Sequence, residues 1–291
     1  MAERRAPSVR SRQLAAELRR QRDEAGLTGE EVAARLGWSA AKVSRVETAR
    51  TAVSPSDLQL LLDLYEVSGR HRERLEELGR TARQRGWWDV YADMLGPEYA
   101  TLIALESDAD SAGWYAAQIV PGLLQTPEFV RARVDTEVTL KPGSPNADGV
   151  LAGRAGRQRM LRRPGGPTYE VIIDEVAISR LAAPPEVVKK QLYYLATTVN
   201  GEPKVAVRVL PVHARIADYA VPRCTFSTYT YPDPGDPAVV AVDTVTSDLI
   251  LTEAADVGSY QQLYQRLRDA ALPRDESLDL LTKAAADLHD D

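Results

Sequence analysis

The feature that most constrains this chain is a run of short helical segments, with start and stop signals, within its first 85 residues. Thr28 and Glu31 have the spacing of a capping box, so a helix begins there, and Gly37 ends it. Ser39 is an N-cap candidate for a further helix from 40 to 48. Two short helices joined by so short a glycine-containing turn predict a helix-turn-helix arrangement.

Three further helices complete this region. Apolar residues at helical spacing predict a helix from 11 to 25. Ser54 followed by Pro55 opens a fourth helix, and a fifth runs from about 70 to 83. The sequence therefore predicts an all-α domain of five helices over residues 1–85.

The residues at these positions also form a known family pattern. They are Leu27, Thr28, Glu30, Glu31, Val32, Ala33, Leu36, Gly37 and Ser39, then Val43, Ser44, Arg45, Val46 and Glu47, then Ser54, Pro55 and Leu58. The pattern resembles the five-helix helix-turn-helix domain of the Xre and lambda-repressor type. The resemblance implies sequence-specific binding of double-stranded DNA, and a helical bundle that binds no DNA is the alternative.

The helix that starts at residue 40 is the expected recognition helix, because short or polar side chains must face the base edges while the other side packs on the domain. Arg45 can pair with guanine, and Ala40 and Ala41 can touch thymine methyl groups. Lys42 is expected on phosphate, because its ammonium lacks a bidentate fork. The candidates for DNA contact are Thr28, Gly29, Ser39, Ala40, Ala41, Lys42, Ser44, Arg45 and Arg50.

Gly29 departs from the family pattern, because many members have Gln there, where it contacts the DNA backbone. Glycine offers only its amide, so anchoring must come from Arg10, Arg12, Arg50 and the amides at the start of the second helix. For the N-terminal arginines, which also include Arg4 and Arg5, a solvated arm is the alternative.

Charge is divided unevenly along the chain. Residues 1–85 contain 17 Lys and Arg against 13 Asp and Glu, a net charge of +4, whereas the rest contains 19 against 29, a net charge of −10. The overall charge of −6 therefore conceals a basic region, and it is the region with the DNA-binding pattern. We expect the acidic part to lie away from DNA, to bind the controlling partner and to set dimerisation.

Residues 86–291 are predicted to form a second, regulatory domain. It is helical over 86–135, a Pro- and Gly-rich loop over 137–149 and α/β over 150–291. Runs of β-branched and aromatic residues predict strands at 168–174, 204–210, 224–231 and 238–245, and a helix at 185–199 is long enough for a crossover between the first two. The fold class is multidomain: an all-α five-helix helix-turn-helix domain, then an α/β domain with a mixed sheet plus helices.

This second part also resembles a known domain. The resemblance is carried by WYxxQIVPGLLQTP at 114–127, YEVIIDE at 169–175, VRVLP at 207–211 and LRxAAL at 267–272. It is similar to the C-terminal domain of actinobacterial WhiJ-like regulators, which follows an Xre-type helix-turn-helix module. The resemblance implies a small partner protein encoded by a neighbouring gene, and it implies no particular chemistry.

Aromatic side chains and one arginine are the candidates for binding a partner or ligand in this domain. They are Trp87, Trp88, Trp114, Tyr115 and Arg157. Aromatic anchors are typical of interfaces and pockets, although each of these rings can also be part of a core. The arginines from 154 to 163 form a basic stripe, either a solvated helix face or a contact for an acidic patch or anionic ligand.

The sequence offers no constellation for catalysis, metal or cofactor binding. Asp174 and Glu175 are adjacent at a strand end and point to opposite faces, so helix capping is the better interpretation. Cys224 lies in an apolar stretch, where we expect a buried structural thiol. One cysteine with His71, His213 and His289 gives no zinc spacing.

No stretch of the sequence approaches 18 uncharged apolar residues, and the first twelve residues have charges with no apolar segment behind them, so we expect neither membrane spanning nor secretion. We therefore expect a cytoplasmic, nucleoid-associated homodimer that binds an inverted-repeat operator, has no enzymatic activity and is controlled by a ligand or partner protein. The alternatives are an antitoxin-like protein that neutralises a neighbouring gene product and represses their shared promoter, and a DNA-tethered enzyme.

Overall fold

The computed structural model describes residues 8–83, 91, 95–140, 147–233, 236–244 and 248–288. The chain divides into two compact units, Met1–Leu105 and Glu106–Asp291. The domain boundary predicted near residue 86 lies outside the described residues, as do Trp87 and Trp88.

The described part of the first unit contains the five predicted helices. They are α1 (Val9–Glu24), α2 (Gly29–Leu36), α3 (Ala40–Glu47), α4 (Pro55–Leu64) and α5 (Gly69–Ala82). Helix α1 packs on α3 and α5, α2 packs on α3, and α4 packs on α5. The prediction of an N-terminal helical domain is confirmed.

Side-chain caps set where these short helices begin. Thr28 Oγ1 accepts a hydrogen bond from the Glu31 amide while the Glu31 carboxylate accepts one from the Thr28 amide, so the predicted capping box is confirmed. Ser39 and Ser54 cap α3 and α4 in the same way, through the amides three residues further on. Gly37 ends α2 at φ +66°, a left-handed conformation that glycine adopts without steric cost.

One apolar core holds the five helices together. Leu18, Val32, Leu62 and Leu75 have no exposed surface, and they come from four different helices. Burying such a side chain contributes about 1.5–3 kcal/mol, which short helices need because they are marginal alone.

Among the residues that the structure describes, the second unit is built on a six-stranded mixed sheet. Its strands are β1 (Ser111–Ala116), β2 (Thr168–Asp174), β3 (Val205–Leu210), β4 (Phe226–Thr230), β5 (Val239–Val242) and β6 (Leu249–Leu251). The order is β3-β2-β1-β4-β5-β6, with β1, β2 and β3 parallel and the other neighbours antiparallel. The predicted α/β unit with a mixed sheet is confirmed.

The helices of this unit lie largely between the strands in sequence. They are α7 (Pro127–Leu140), α8 (Ala147–Arg162), α9 (Glu175–Ser179), α10 (Pro185–Gly201), α11 (Ala254–Ala270) and α12 (Arg274–Asp287); α6 (Pro97–Asp108) spans the division between the units. Helix α10 is the predicted crossover between β2 and β3. The predicted loop 137–149 is shorter, because α7 extends to Leu140 and α8 begins at Ala147; residues 141–146 lie outside the described residues.

Strand β1 corrects the prediction that residues 86–135 are entirely helical. It lies between β2 and β4, with Trp114 opposite Val171 on one side and Ser227 on the other. A strand this central is covered on both faces, so its sequence shows little of the alternation that identifies a half-exposed strand.

Helix α11 covers one face of the sheet. Tyr260 and Tyr264 pack edge-on against Phe226 of β4. Gly113 of β1 permits this approach, because a Cβ there would lie only 2.7 Å from the Tyr264 ring. At the sheet edge, Val209 of β3 receives a hydrogen bond from the Leu272 amide and donates one to Ser277 Oγ, which satisfies backbone groups of an edge strand.

Candidate DNA-binding surface

Helix α3 has two distinct sides. Val43 and Val46 are 2% and 5% exposed and belong to the core of the first unit. Ala41, Ser44 and Arg45 are exposed. Because the inner side is anchored by packing, the outer side presents short and polar groups in a defined orientation, with Arg45 as its longest side chain.

A nearly buried ion pair fixes α3 relative to α1. Arg22 Nε donates to Glu47 Oε1 at 2.8 Å and its Nη2 donates to Oε2 at 3.2 Å, so the pair is bidentate. Arg22 also donates to the Leu27 carbonyl at 2.8 Å, just before α2. The hydrogen bond to Glu47 raises the pKa of the Arg22 guanidinium, which favours the ionised pair. One side chain therefore links three segments of the helix-turn-helix unit.

Lys42 is engaged within the protein. Its Nζ lies 2.9 Å from Asp57 Oδ1 at the start of α4 and 3.7 Å from the centre of the Trp38 ring. The side chain is only 33% exposed. The predicted phosphate contact by Lys42 must therefore compete with an acidic partner and a cation–π contact, neither of which the sequence indicated.

The other predicted DNA-contact residues occupy the surface around α3. Those that are exposed are Thr28, Ser39, Ala40, Ala41, Ser44, Arg45 and Arg50, whereas Gly29 is half-buried. A Cβ added to Gly29 would meet only Val43 Cγ1, at 3.8 Å, so the packing leaves room for a side chain there. Arg10 is exposed and Arg12 half-buried on α1, and Arg4 and Arg5 lie outside the described residues.

At the start of α2, the hydrogen bonds from the Thr28 amide and hydroxyl lower the pKa of the exposed Glu31 carboxyl. The Glu31 carboxylate therefore serves as a helix cap at this surface.

The structure places Trp114, Tyr115 and Arg157, three of the candidates for binding a partner or ligand, in the interior of the second unit rather than on an exposed interface. Trp114 and Tyr115 are 4% and 3% exposed. Tyr115 donates a hydrogen bond to Asp174 Oδ2 at 2.9 Å, and the Trp114 ring packs 6.2 Å from that of Tyr169. Both aromatic residues belong to β1, whose central position in the sheet determines their burial.

Arg157 forms a buried bidentate ion pair with Glu106 of α6. Its Nε donates to Glu106 Oε2 at 2.7 Å, and the two side chains are 3% and 2% exposed. The arginines of the predicted basic stripe on α8 therefore do not form one uniform surface. Arg159 is exposed, Arg162 pairs with Glu202, and Arg163, directly after the helix, donates to the Ser107 carbonyl.

The remaining candidates have structural roles. Asp174 caps α9 by accepting a hydrogen bond from the Val176 amide, so the predicted capping role is confirmed. Cys224 precedes β4 and is half-buried against the core of the second unit, so the prediction of a buried thiol at this position is wrong. In the part of the chain that the structure describes, no three His, Cys, Asp or Glu side chains are grouped so that they could hold a metal ion. Among the same residues, no helix has the length and apolarity needed to cross a membrane.

Comparison with known families assigns both parts of the chain. Residues 13–75 match a family described as "Helix-turn-helix domain", and residues 99–283 match one described as "Domain of unknown function (DUF5753)". Searches of curated proteins and of solved structures gave no significant match. Since the second match covers well over half of the chain, the protein belongs to the DUF5753 family, and a helix-turn-helix domain precedes that shared region.

Proposed function

We propose that this protein is a sequence-specific DNA-binding transcription regulator of the Xre type that reads its operator through α3. The observation that carries the proposal is the two-sided character of this helix. Val43 and Val46 anchor it, and Ala41, Ser44 and Arg45 face outward. A helix held in this way can enter the major groove with its side chains directed at base edges.

The exposed residues of α3 have different roles in this proposal. The Arg45 guanidinium can donate two hydrogen bonds to guanine and so supplies preference at one base pair. Lys42 contributes to phosphate binding only when it leaves Asp57, which lowers its share of the affinity. Ala40 and Ala41 offer methyl contacts to thymine.

The operator in this proposal is an inverted repeat bound by a homodimer. One recognition helix reads only a few base pairs, and a two-fold dimer doubles the site. Half-sites are then about one helical turn, roughly 34 Å, apart.

The first experiment is selection of bound duplexes from a random pool by the full chain, followed by footprinting. An enriched inverted repeat supports the proposal, and a footprint over one unpaired half-site counts against the dimer. Failure to enrich any sequence, with binding equal on all duplexes, contradicts sequence-specific recognition itself.

Variants of α3 then test whether this helix is the recognition helix. Arg45→Ala should cost about 1–3 kcal/mol on the selected operator and relax preference at one position per half-site. Lys42→Ala should weaken operator and scrambled duplexes alike, and lower the salt slope by up to about 0.9 per site. Arg80→Ala on α5, whose side chain pairs with Glu77, is the matched control for loss of one positive charge. Equal losses on both duplexes for Arg45→Ala would identify a phosphate contact instead.

We also propose that the second unit controls the DNA-binding unit without catalysing a reaction. The likeness to WhiJ-like regulators supports a small partner protein encoded nearby, and the net charge of −10 beyond residue 85 supports a position away from DNA. Co-expression with the neighbouring gene product, followed by purification of the full chain, tests this: a stoichiometric complex is expected. Purification without that product from such cells rejects this partner.

A further inference from the structure

Exposed apolar side chains are concentrated where β2 and β3 end. Seven large apolar side chains are exposed in the part of the chain that the structure describes. Four of them follow β2 or β3: Leu181, Val212, Tyr219 and Val221, which are 52%, 71%, 75% and 74% exposed. Single exposed apolar residues are ordinary, but several at one end of a sheet indicate an interaction surface.

A groove lies beside this apolar surface, between α9 and α12. Its volume is about 650 Å³. The apolar part of its lining consists of Ile178, Leu272, Leu280, Ala284 and Leu288. Acidic side chains dominate the polar part, which consists of Glu175, Glu276, Asp279 and Asp287 with Lys283 and Ser179. The groove therefore suits an occupant that combines apolar groups with positive charge.

The loop between β3 and β4, residues 211–225, contains exposed apolar and basic residues and begins beside this groove. The Val212 amide donates to Glu175 Oε2 at 2.8 Å, and Val212 lines a second depression that shares Glu175 and Ser179 with the groove. The basic residues His213, Arg215 and Arg223 of this loop are exposed, as are its apolar residues Val212, Tyr219 and Val221.

Contacts within the unit hold the tip of this loop in place. Arg215 lies over the Tyr219 ring, 5.7 Å from its centre, and Asp218 pairs with Arg266 of α11 at 3.1 Å. The one acidic residue of the loop tip is thus already paired, while Arg223 is exposed. The loop therefore offers exposed apolar and basic groups next to a groove that is apolar and acidic.

We propose that this face binds a second copy of the chain, with the β3–β4 loop of each copy seated in the α9–α12 groove of the other. A two-fold interface uses the same surface patch on both subunits, so it requires a patch that is complementary to itself. An acidic apolar groove beside a basic apolar loop meets this requirement, because a two-fold rotation can place the loop of each copy against the groove of the other. The role of this interface in binding an inverted repeat rests on the proposed function.

Charge reversal provides the test, with the full chain and without DNA. The loop variant is Arg215→Glu with Arg223→Glu, and the groove variant is Glu276→Arg with Asp279→Arg. Sedimentation velocity over a wide concentration range should give a dimer for the unchanged chain. Each variant should weaken dimerisation at least about tenfold, because like charges then face each other twice.

Mixing the two variants separates loss of complementarity from loss of folding. The acidic loop of one variant then meets the basic groove of the other, and the unchanged loop and groove meet across the second contact. A mixed dimer should therefore form at concentrations at which each variant alone is monomeric. Arg159→Glu on α8 and Glu253→Arg before α11 are matched controls, which should leave the dimer unchanged.

A monomeric unchanged chain would overturn the proposal, as would a dimer that both reversals leave intact or a mixture that stays monomeric. A groove that binds a different protein while the chain stays monomeric would overturn it too. DNA binding is measured separately on a single half-site duplex, which the loop variant should still bind. A chain that dimerises as described but binds no DNA would refute the proposed function and leave this interface standing.

Discussion

The buried ion pair between Glu106 and Arg157 provides a quantitative test of the second unit. Both side chains are at most 3% exposed, and the guanidinium meets the carboxylate through two hydrogen bonds. The surroundings are buried as well: burial first, and then the Glu106 charge, raise the pKa of the nearby Tyr169 and Tyr229 phenols well above the ordinary value. Removing one member of the pair leaves the other charge buried without its bidentate partner.

The expected magnitudes follow from this burial. Glu106→Leu leaves a guanidinium in the core, and Arg157→Met leaves a carboxylate, so each should lower the free energy of unfolding by about 3–5 kcal/mol. The double variant removes both charges and should lie within about 1–2 kcal/mol of the unchanged chain, since an apolar pair of similar volume often replaces a buried ion pair without loss. The two effects therefore should not add.

The assay is urea denaturation followed by tryptophan fluorescence and circular dichroism, with the two units fitted as separate transitions. Asp148→Leu is the matched control, because Asp148 pairs with Arg131 at 3.3 Å on the surface, where 84% and 57% of the side chains are exposed, and such pairs contribute about 0–1 kcal/mol. Single variants that cost no more than this control, or a double variant that costs their sum, would refute the reasoning.

The remaining predictions concern the DNA-binding unit. Arg22→Met should lower its stability by about 1.5–3 kcal/mol, because the nearly buried Glu47 loses its bidentate partner; a thermal melt that matches the unchanged chain would contradict this. Asp57→Asn should raise affinity for operator and scrambled duplexes alike, by less than about tenfold, because it releases Lys42 and removes a negative charge beside α3. An effect limited to the operator would instead assign Lys42 to base recognition. Gly29→Gln should fold normally and bind the operator more tightly in a mobility-shift titration, since space for a side chain exists and the amide can reach phosphate; weaker binding would place this residue away from the DNA.

The helices of the first unit can be predicted from sequence because their signals are local. Thr28 caps the amide of Glu31 only three residues away, and the serine caps of α3 and α4 span the same distance. The buried positions of Val43 and Val46 follow from helical periodicity. The prediction of an exposed reading surface that includes Arg45 therefore required no long-range contact.

Long-range pairing determines the features that sequence reasoning missed. Residues 111–116 form a central strand because β2, 57 residues further along the chain, and β4, 111–119 residues further, supply hydrogen bonds on both sides. This pairing places Trp114 and Tyr115 in the core. Arg157 is buried because it meets Glu106, 51 residues earlier in the chain, and Lys42 is restrained because Asp57 begins another helix beside it. Such partners have no fixed sequence spacing, so only the packing of distant segments decides whether a charged side chain faces solvent, DNA or another charge.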